Sequence, residues 1–318
     1  MERVASADGR RPGSVVPLVG LVRAVSGVDE PVVTVAEMDL RIVPITRVTA
    51  GVVSQATDAV AVEEPLEIRV AYGRDQAHVV RPISITMRTP GHDVELAAGF
   101  LFAEGIVTDE TDISAVRECG PKLGPSGHRN VVSVTLREGL DLDISRLERH
   151  FYTTSSCGVC GKASLDALDV SAGRPALTIR SAISARELLR LPERVRQEQA
   201  VFGRTGGIHA AAIFTMAGEL LCLREDVGRH NALDKLVGAQ LLQGDIPLSD
   251  RLLLLSGRAS FELLQKAFMA GIAVVAAVGA PSSLAVELAE RFGITLIGWL
   301  RGERCSIYSH PDRVCHSV

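Results

Sequence analysis

The sequence predicts a mixed α/β protein with a buried parallel sheet in its C-terminal third. Three short apolar segments, 251–255, 272–278 and 294–300, alternate with predicted helices at about 260–270 and 284–292. Strands this apolar are typical of a parallel sheet that helices cover on both faces. Since right-handed crossovers join such strands, their carboxyl ends should meet at one edge of the sheet.

The first half of the chain predicts further strands around a single helix. Alternation of apolar and polar residues favours strands at 66–72, 83–87 and 130–136. A helix is expected over 94–104, with Asp93 as its N-cap. These elements extend the α/β prediction to the N-terminal half.

The middle of the chain predicts a helix, a hairpin and a second helix. The segment 186–200 is rich in Arg and Glu and has a helical pattern. Two strands, 208–215 and 220–226, flank a turn and read as a hairpin. Apolar spacing then changes to a helical face that begins at Asn231.

We divide the chain into an extension and two domains. Residues 1–58 show no clear periodicity, so a poorly ordered N-terminal extension is expected there. The predicted N-terminal α/β domain covers 59–150 and the C-terminal α/β domain covers 151–318. The second domain is entered through a cysteine-containing loop at 153–161.

Composition excludes several classes of function. The net charge is −4 and aromatic residues make up 4%, which disfavours a polyanion-binding surface and a base-stacking platform. No apolar run approaches the ~18 residues of a spanning helix, so no membrane association is expected. Six cysteines in 318 residues do not form a disulfide scaffold. Free thiols in a reducing cytoplasm fit this composition better.

The cysteine loop holds the most reactive residue types of the chain. Cys157 and Cys160 are separated by two residues in a stretch of Ser and Gly, and a predicted helix begins near Lys162. A helix N-terminus and a nearby ammonium lower the pKa of a thiol. The small neighbours would let another protein's thiol approach. We therefore predict an accessible, reactive thiol in this loop.

Three other interpretations of the cysteine pair remain open. A zinc site needs four ligands, or three and a water, and no second C-x-x-C motif or H-x-E motif is present. A thioredoxin-like dithiol usually follows a strand of a βαβ unit, which this loop does not. The pair could also be two inert, buried thiols.

Three loops follow the three apolar strands and should share one sheet edge, where ligands of open α/β sheets bind. Arg258 lies in the first loop, and Arg301 and Arg304 lie in the third; their guanidinium groups are suited to phosphate. Two of the loops also open helices, whose free N–H groups favour anions. The sequence thus indicates a phosphate-bearing, nucleotide-like ligand, with ordinary surface arginines as the alternative. The loops are 256–260, 279–283 and 301–305.

A second polar concentration lies at 223–238, just before and within the predicted helix. It contains Arg229 and His230 beside two glycines, which suggests a site or an interface. A capped helix with solvated ion pairs is the alternative. His209, between glycines and alanines, could line the same pocket or be a core histidine.

Five motifs together resemble the formate dehydrogenase accessory sulfurtransferase family, the FdhD sulfur carriers. They are long, unusual and in the family's order, and the resemblance covers roughly residues 60–314. The motifs are SSCGVCG, GGIHAAAIFT, EDVGRHNALDKLVG, SGRASFELLQKA and LAVELAERFGITLIGW.

The resemblance implies a fold, an activity and partners. The fold would be two α/β domains with a cytidine-deaminase-like core, a mostly parallel sheet flanked by helices, and no metal. The protein would take sulfur from a cysteine desulfurase as a persulfide on Cys157, assisted by Cys160. It would pass the sulfur to the molybdenum cofactor in its bis(guanine dinucleotide) form, for formate dehydrogenase. A homodimer without a permanent cofactor is implied.

The resemblance also implies which residues contact the cofactor. A segment near the C-terminus matches the family's cofactor-contacting region and coincides with the sheet edge predicted above. Loop residues of the first strand end and the second polar concentration complete the candidate set. Its members are Trp299, Leu300, Arg301, Gly302, Glu303, Arg304, Ser256, Gly257, Arg258, His209, Arg229 and His230.

Two questions stay open after the resemblance. The helix dipole favours Cys160 as the lower-pKa thiol, whereas the resemblance favours Cys157 as the sulfur carrier. Two other functions also remain: a cofactor-binding chaperone that transfers no sulfur, and a zinc-dependent hydrolase of the deaminase type.

Overall fold

A computed structural model describes residues 39–73, 79–122, 124, 127–140, 177 and 181–315, together with the backbone of Val16–Pro17. Cys157, Cys160 and the whole loop 153–161 lie outside the described residues. None of the helices in the described part combines the length and apolar composition of a membrane-spanning segment.

The described residues form strands β1–β15, α-helices α1–α6 and two short 3₁₀ turns. The strands are β1 Val16–Pro17, β2 Leu40–Thr49, β3 Val52–Ala61, β4 Glu64–Tyr72, β5 Val79–Arg88, β6 Ile113–Lys122, β7 Arg129–Leu136, β8 Ile183–Ser184, β9 His209–Thr215, β10 Leu220–Asp226, β11 Arg251–Leu255, β12 Val274–Ala277, β13 Thr295–Arg301, β14 Arg304–Ser309 and β15 Val314–Cys315. The helices are α1 Asp93–Ala103, α2 Ala185–Glu198, α3 Ala200–Thr205, α4 Arg229–Leu242, α5 Phe261–Met269 and α6 Ser283–Phe292, and the 3₁₀ turns are Glu110–Asp112 and Pro311–Arg313.

Two mixed sheets form the framework. The first has the order β1-β6-β7-β4-β5, and only the β4–β7 pairing is parallel. The second has the order β10-β9-β11-β12-β13-β14. Its central strands β11, β12 and β13 are parallel, which confirms the sequence prediction for these three strands.

The prediction of a mostly parallel sheet is wrong, because the flanking strands of the second sheet are antiparallel. β9 pairs antiparallel with both β10 and β11, and β14 pairs antiparallel with β13. For β14 the cause is the length of its connection, because only Gly302 and Glu303 separate it from β13. A parallel partner would need a crossover of a dozen or more residues.

Helices fill the space between the two sheets. Residues of α1, α4, α5 and α6 share one buried cluster with the inner faces of both sheets. The other face of the second sheet is covered by α2, whose Leu188, Leu191 and Val195 pack on it. Alternate residues of β9 serve the two faces: Ile213 packs toward α4 and Phe214 toward α2.

Helices α1 and α4 touch backbone to backbone at a pair of glycines. A Cβ on Gly99 would lie 1.9 Å from the Asp234 carbonyl oxygen, and one on Gly238 would lie 1.9 Å from the Glu95 carbonyl oxygen. Real Cβ atoms do not come this close to backbone, so any side chain would push the helices apart. The reciprocal contact joins the helix behind the first sheet to the helix behind the second.

An ion pair reinforces the same junction. Arg224 on β10 donates from Nη2 to Glu95 Oε1 over 2.8 Å, and its Nε donates to the second carboxylate oxygen. His92 Nδ1 lies 3.1 Å from the same carboxylate. Burial alone would raise the pKa of Glu95, but the bonds from Arg224 and His92 outweigh burial and lower it to about 2.

The predicted extension 1–58 is not poorly ordered at its C-terminal end. β2 and β3 form a regular hairpin with ten paired residues on each strand. Ala50 and Gly51 form its tip, both with positive φ, as the tight hairpin turn requires. Sequence periodicity missed the hairpin because both of its faces are largely exposed. The division into domains remains a prediction.

We expect Gly99→Ala to destabilise the protein by about 3 kcal/mol or more, because two backbones must separate to admit the methyl group. Gly203→Ala is the matched control. Gly203 lies in α3 with open space around its Cβ position, so alanine should stabilise the helix by about 0.5–1 kcal/mol. Chemical unfolding monitored by circular dichroism measures both changes. Equal stability of G99A and wild type would contradict the proposed tight crossing.

We expect Glu95→Gln to lower the free energy of unfolding by about 2–3 kcal/mol at pH 7, because it removes a carboxylate with a depressed pKa. A carboxylate whose pKa is lower in the folded state stabilises that state at pH values above its pKa in the unfolded chain. The difference in free energy of unfolding between E95Q and wild type should therefore shrink as the pH drops from about 4.5 toward 2. Unfolding curves at several pH values measure it. The exposed Glu193→Gln control should change stability by less than about 1 kcal/mol. A difference for E95Q that does not depend on pH would be inconsistent with this pair.

Candidate functional site

The loops after the three parallel strands lie side by side. The Gly279 N–H donates to the Gly257 carbonyl over 2.9 Å, and the Trp299 N–H donates to the Gly279 carbonyl over 3.0 Å. Backbone hydrogen bonds therefore join the first loop to the second, and the second loop to Trp299 near the end of β13. The predicted sheet-edge surface is thus a contiguous feature of the structure.

Glycine at position 279 permits this close approach. A Cβ there would lie 3.0 Å from the Gly257 oxygen and 3.1 Å from the Arg258 Cα, with little room for either backbone group to move. The loops could not come together as tightly with a larger residue. The glycine also leaves the Arg258 side chain free to extend outward, where it is exposed.

Trp299 holds an unusual conformation at this edge. Its φ of 53° is rare for a bulky residue and sits in a bulge where the β13–β14 register shifts. Strain of this kind costs about 1–3 kcal/mol and is concentrated at functional sites. The ring is 38% exposed, and the Arg301 guanidinium stacks 4.7 Å from its centre. The bulge thus presents a flat aromatic and cationic surface to solvent.

The predicted segment 299–304 divides into one core residue and an exposed remainder. Leu300 is fully buried and packs with Ile297 and the α2 face of the sheet. Its side chain therefore anchors the bulge and does not face the edge. Arg301, Gly302, Glu303 and Arg304 are exposed.

His209 lies beside the first of the three loops. It begins β9 opposite Asp226, and its ring would be 3.4 Å from a Cβ on Gly257. Burial lowers the pKa of His209, and the nearby charges of Arg229 and His230 lower it further, against an opposing effect of Asp226. The imidazole is therefore neutral at pH 7 and can donate one hydrogen bond and accept another.

The start of α4 brings two more predicted residues to the same place. His230 Nε2 lies 3.0 Å from Glu262 Oε2, and this contact lowers the pKa of Glu262. Within the described residues, Arg229 Nε and Ser260 Oγ are buried without a hydrogen-bond partner. His209, Arg229 and His230 therefore extend the edge surface on the side of β9.

A buried carboxylate within the polar stretch 223–238 fixes this region. Asp226 is fully buried and accepts hydrogen bonds from the N–H groups of Thr89 and Gly228, at 3.1 and 2.8 Å. The Asn231 amide and the Lys235 ammonium also donate to it, at 3.1 and 2.8 Å. Burial raises the pKa of Asp226, and Lys235 opposes that effect. The cluster joins the end of β5 to the start of α4.

The structure brings together most of the predicted ligand-contacting residues. Ser256 has a local role, since its Oγ accepts from the Ala210 N–H over 2.8 Å and secures the loop to β9. Among the described residues, no three His, Cys, Asp or Glu side chains are arranged to hold a metal ion. Cys157 and Cys160 are outside the described part, so their position relative to this edge stays a prediction.

Comparisons with known proteins identify relatives over most of the chain. The model of the FdhD/NarQ family matches residues 61–315. A sulfur carrier protein FdhD from Streptomyces coelicolor is 52% identical over 272 residues, which is 85% of this chain and 94% of the relative. The sulfur carrier protein FdhD of Mycobacterium tuberculosis is 47% identical over 283 residues, 85% of this chain and 96% of the relative.

A solved structure supports the fold. The crystal structure of a formate dehydrogenase accessory protein from Desulfotalea psychrophila superposes with a TM-score of 0.64. The superposition covers 87% of this chain and 99% of that one, at 22% sequence identity. The architecture is therefore shared, as predicted for a mixed α/β protein. On the family match and the identity to its members, this chain belongs to the FdhD/NarQ family.

Proposed function

We propose that this protein is a sulfurtransferase that carries sulfur on Cys157 to a molybdenum cofactor needed by formate dehydrogenase. The supporting observation is the family match over residues 61–315, which includes both cysteines of the loop. The relatives at 47–52% identity are named sulfur carrier proteins. The neighbour of known structure is named a formate dehydrogenase accessory protein.

Loading would be a thiol–persulfide exchange. The Cys157 thiolate attacks the terminal sulfur of a persulfide on a cysteine desulfurase. A new S–S bond forms on Cys157, the old S–S bond breaks, and the desulfurase cysteine leaves as a thiolate. No outside oxidant or reductant is needed. The Ser and Gly residues around Cys157 leave room for the second protein to approach.

Release, once the client is bound, would use Cys160. Its thiolate attacks the Cys157 sulfur of the persulfide, which gives a Cys157–Cys160 disulfide and expels the outer sulfur as hydrosulfide. The two thiols supply the two electrons that convert sulfane sulfur to sulfide. A cellular dithiol would then reduce the disulfide. This assigns different tasks to the two cysteines and accommodates the lower pKa that the helix dipole predicts for Cys160.

The client would bind at the sheet edge. Arg258, Arg301 and Arg304 are exposed there and can pair with the phosphates of a guanine dinucleotide. The exposed ring of Trp299, already stacked with Arg301, offers an aromatic surface for a base. The molybdenum cofactor would therefore bind as the substrate that receives the sulfur. The protein would hold no permanent cofactor and would work in the cytoplasm, where its thiols stay reduced.

A cofactor-binding chaperone is the second candidate, because the edge surface alone would suit it. In that case the client binds but no sulfur is held by Cys157. A zinc-dependent hydrolase would have to build its metal site from Cys157 and Cys160. Elemental analysis of the purified protein tests that function, because a zinc-dependent hydrolase should contain a stoichiometric amount of zinc.

Incubation with a cysteine desulfurase and cysteine should add one reducible sulfur, about 32 Da, to the wild-type protein. The addition should vanish in Cys157→Ala and persist in Cys160→Ala. Cys315→Ala, which removes an exposed thiol elsewhere, should load normally. Intact-mass spectrometry without reductant measures all four proteins. If the gain of mass vanished only in Cys160→Ala, the sulfur carrier would be Cys160 and our assignment to Cys157 would be wrong. No gain of mass in any of the proteins would favour the chaperone.

GDP should quench or shift the fluorescence of Trp299, the single tryptophan of the chain. Arg258→Ala combined with Arg304→Ala should weaken GDP binding at least about ten-fold, because charge-assisted hydrogen bonds to phosphate are lost. Titration followed by fluorescence and calorimetry gives both affinities. Arg190→Ala, an exposed arginine on α2, is the control and should bind as wild type does. Unchanged affinity of the double variant for GDP would show that the phosphates do not bind at this edge of the sheet.

A further inference from the structure

Two histidines and a glutamate lie together beside the first strand-end loop. His209 begins β9, His230 lies in the first turn of α4, and Glu262 lies in the first turn of α5. The ring of His209 would lie 3.4 Å from a Cβ on Gly257 in that loop, and contact with His230 lowers the pKa of Glu262. Neither of the sulfur-transfer steps proposed for this protein uses any of these groups.

The two imidazoles have different surroundings. His209 is neutral at pH 7, because burial and then the charges of Arg229 and His230 lower its pKa. His230 Nε2 lies 3.0 Å from Glu262 Oε2. A carboxylate on one nitrogen of an imidazole orients the ring and stabilises the imidazolium, so that the other nitrogen can hand over a proton. Surroundings that differ in this way assign different tasks to two titratable groups, and here they assign an acid to His230.

Titratable groups surround this pair on four elements of the structure. Asp234, one turn further along α4, is already paired, since Lys266 Nζ donates to its two carboxylate oxygens over 2.7 and 2.9 Å. Within the described part of the chain, Glu262 is therefore the carboxylate that contacts the ring of His230. The surrounding groups are Glu262 and Lys266 on α5, Arg229 and Asp234 on α4, His209 on β9 and Asp226 on β10.

The proposed release step needs a proton at the outer sulfur of the persulfide. Without that proton the sulfur would leave Cys157 as S²⁻, which is too basic to be a good leaving group. A side chain that protonates the sulfur while the S–S bond breaks lets it leave as hydrosulfide. Proton donation by a positioned side chain typically accelerates such a step by about 10²–10⁴-fold.

We propose that His230 is the acid that protonates the outer sulfur during delivery, and that Glu262 is the positioning residue that orients its ring. This inference rests on the proposed function, because the sulfur must arrive at the sheet edge where the client would bind. The Cys160 thiolate attacks the Cys157 sulfur, the bond to the outer sulfur breaks with its electron pair on that sulfur, and His230 Nδ1 gives it a proton. The products are the Cys157–Cys160 disulfide, hydrosulfide and a neutral imidazole, with one negative charge in all before and after the step.

The pH dependence of sulfur delivery tests this assignment. Protein loaded with ³⁵S is mixed with formate dehydrogenase that lacks its sulfur-activated cofactor, and label transfer in a single turnover is followed from about pH 6 to about pH 9. Wild type should show a rising limb, as the Cys160 thiolate forms, and a falling limb, as His230 loses its proton. His230→Gln should load normally, deliver at least about a hundred-fold more slowly at pH 7, and lack the falling limb.

Glu262→Gln is a second variant, at a half-exposed position that is not needed for folding. It keeps the acid but removes the carboxylate beside it. Its falling limb should move to lower pH, because no negative charge then opposes the loss of the proton from His230. This shift distinguishes a positioning role from a purely structural one.

His310 and Glu290 provide a matched control pair. His310 Nε2 lies 3.8 Å from Glu290 Oε2, and the two side chains are 33% and 56% exposed, against 30% and 52% for His230 and Glu262. Glu290→Gln and His310→Asn should deliver sulfur as wild type does. Asparagine is chosen because it tolerates the positive φ of position 310. Circular dichroism confirms that each variant is folded.

Three results would overturn the assignment of the acid while the proposed function stands. They are delivery by His230→Gln at the wild-type rate, slow delivery by His230→Gln with the falling limb retained, and an unmoved falling limb in Glu262→Gln. A wild-type protein that loads no sulfur, or delivers none, would instead overturn the proposed function, and the role of His230 with it.

Discussion

The reciprocal contact of Gly99 and Gly238 is the constraint on which the rest of the structure depends. Because neither residue has a Cβ, α1 and α4 approach until each glycine touches the other helix's backbone. This contact sets the spacing of the two sheets and lets one buried cluster run between them. The Glu95–Arg224 pair and the Asp226 cluster can form only at that spacing, since both link the two halves of the chain. A wider helix crossing would leave these charges buried without partners, at a cost of several kcal/mol.

The candidate site inherits its geometry from this junction. Asp226 fixes the loop that starts α4, so Arg229 and His230 are held beside His209. From His209 the surface continues through the first two strand-end loops to Trp299 near the end of β13, and backbone hydrogen bonds join these three parts in a row. Backbone hydrogen bonds therefore hold the surface that we propose for the client, and the proposed sulfur-carrying thiols belong to the loop 153–161.

Sequence patterns predicted the elements that are buried in a regular way. The strand at 251–255 is correct to the residue, and the helix predicted at 94–104 is observed at Asp93–Ala103, because burial imposes a clear apolar period. The hairpin of β2 and β3 escaped prediction because both of its faces are largely exposed, whereas the antiparallel pair of β9 and β10 was predicted as a hairpin. The antiparallel strand β14 was not predicted. The arginines of the edge could be located once three parallel strands were recognised. The Asp226 cluster could not, since Thr89 and Asp226 are 137 residues apart and meet only through the helix crossing. The cytidine-deaminase-like core and the two-domain division remain predictions.

The central claim is that sulfur is loaded at the cysteine loop and delivered to a client bound at the sheet edge. Protein loaded with ³⁵S can be mixed with formate dehydrogenase that still lacks its sulfur-activated cofactor, and both the label transferred and the activity gained can be followed. The account predicts that the variant with alanine at Arg258 and Arg304 loads as fully as wild type but delivers its label at least about ten times more slowly, because the phosphate contacts are lost. Delivery at the wild-type rate by that variant would contradict the claim, since the client would then be recognised elsewhere.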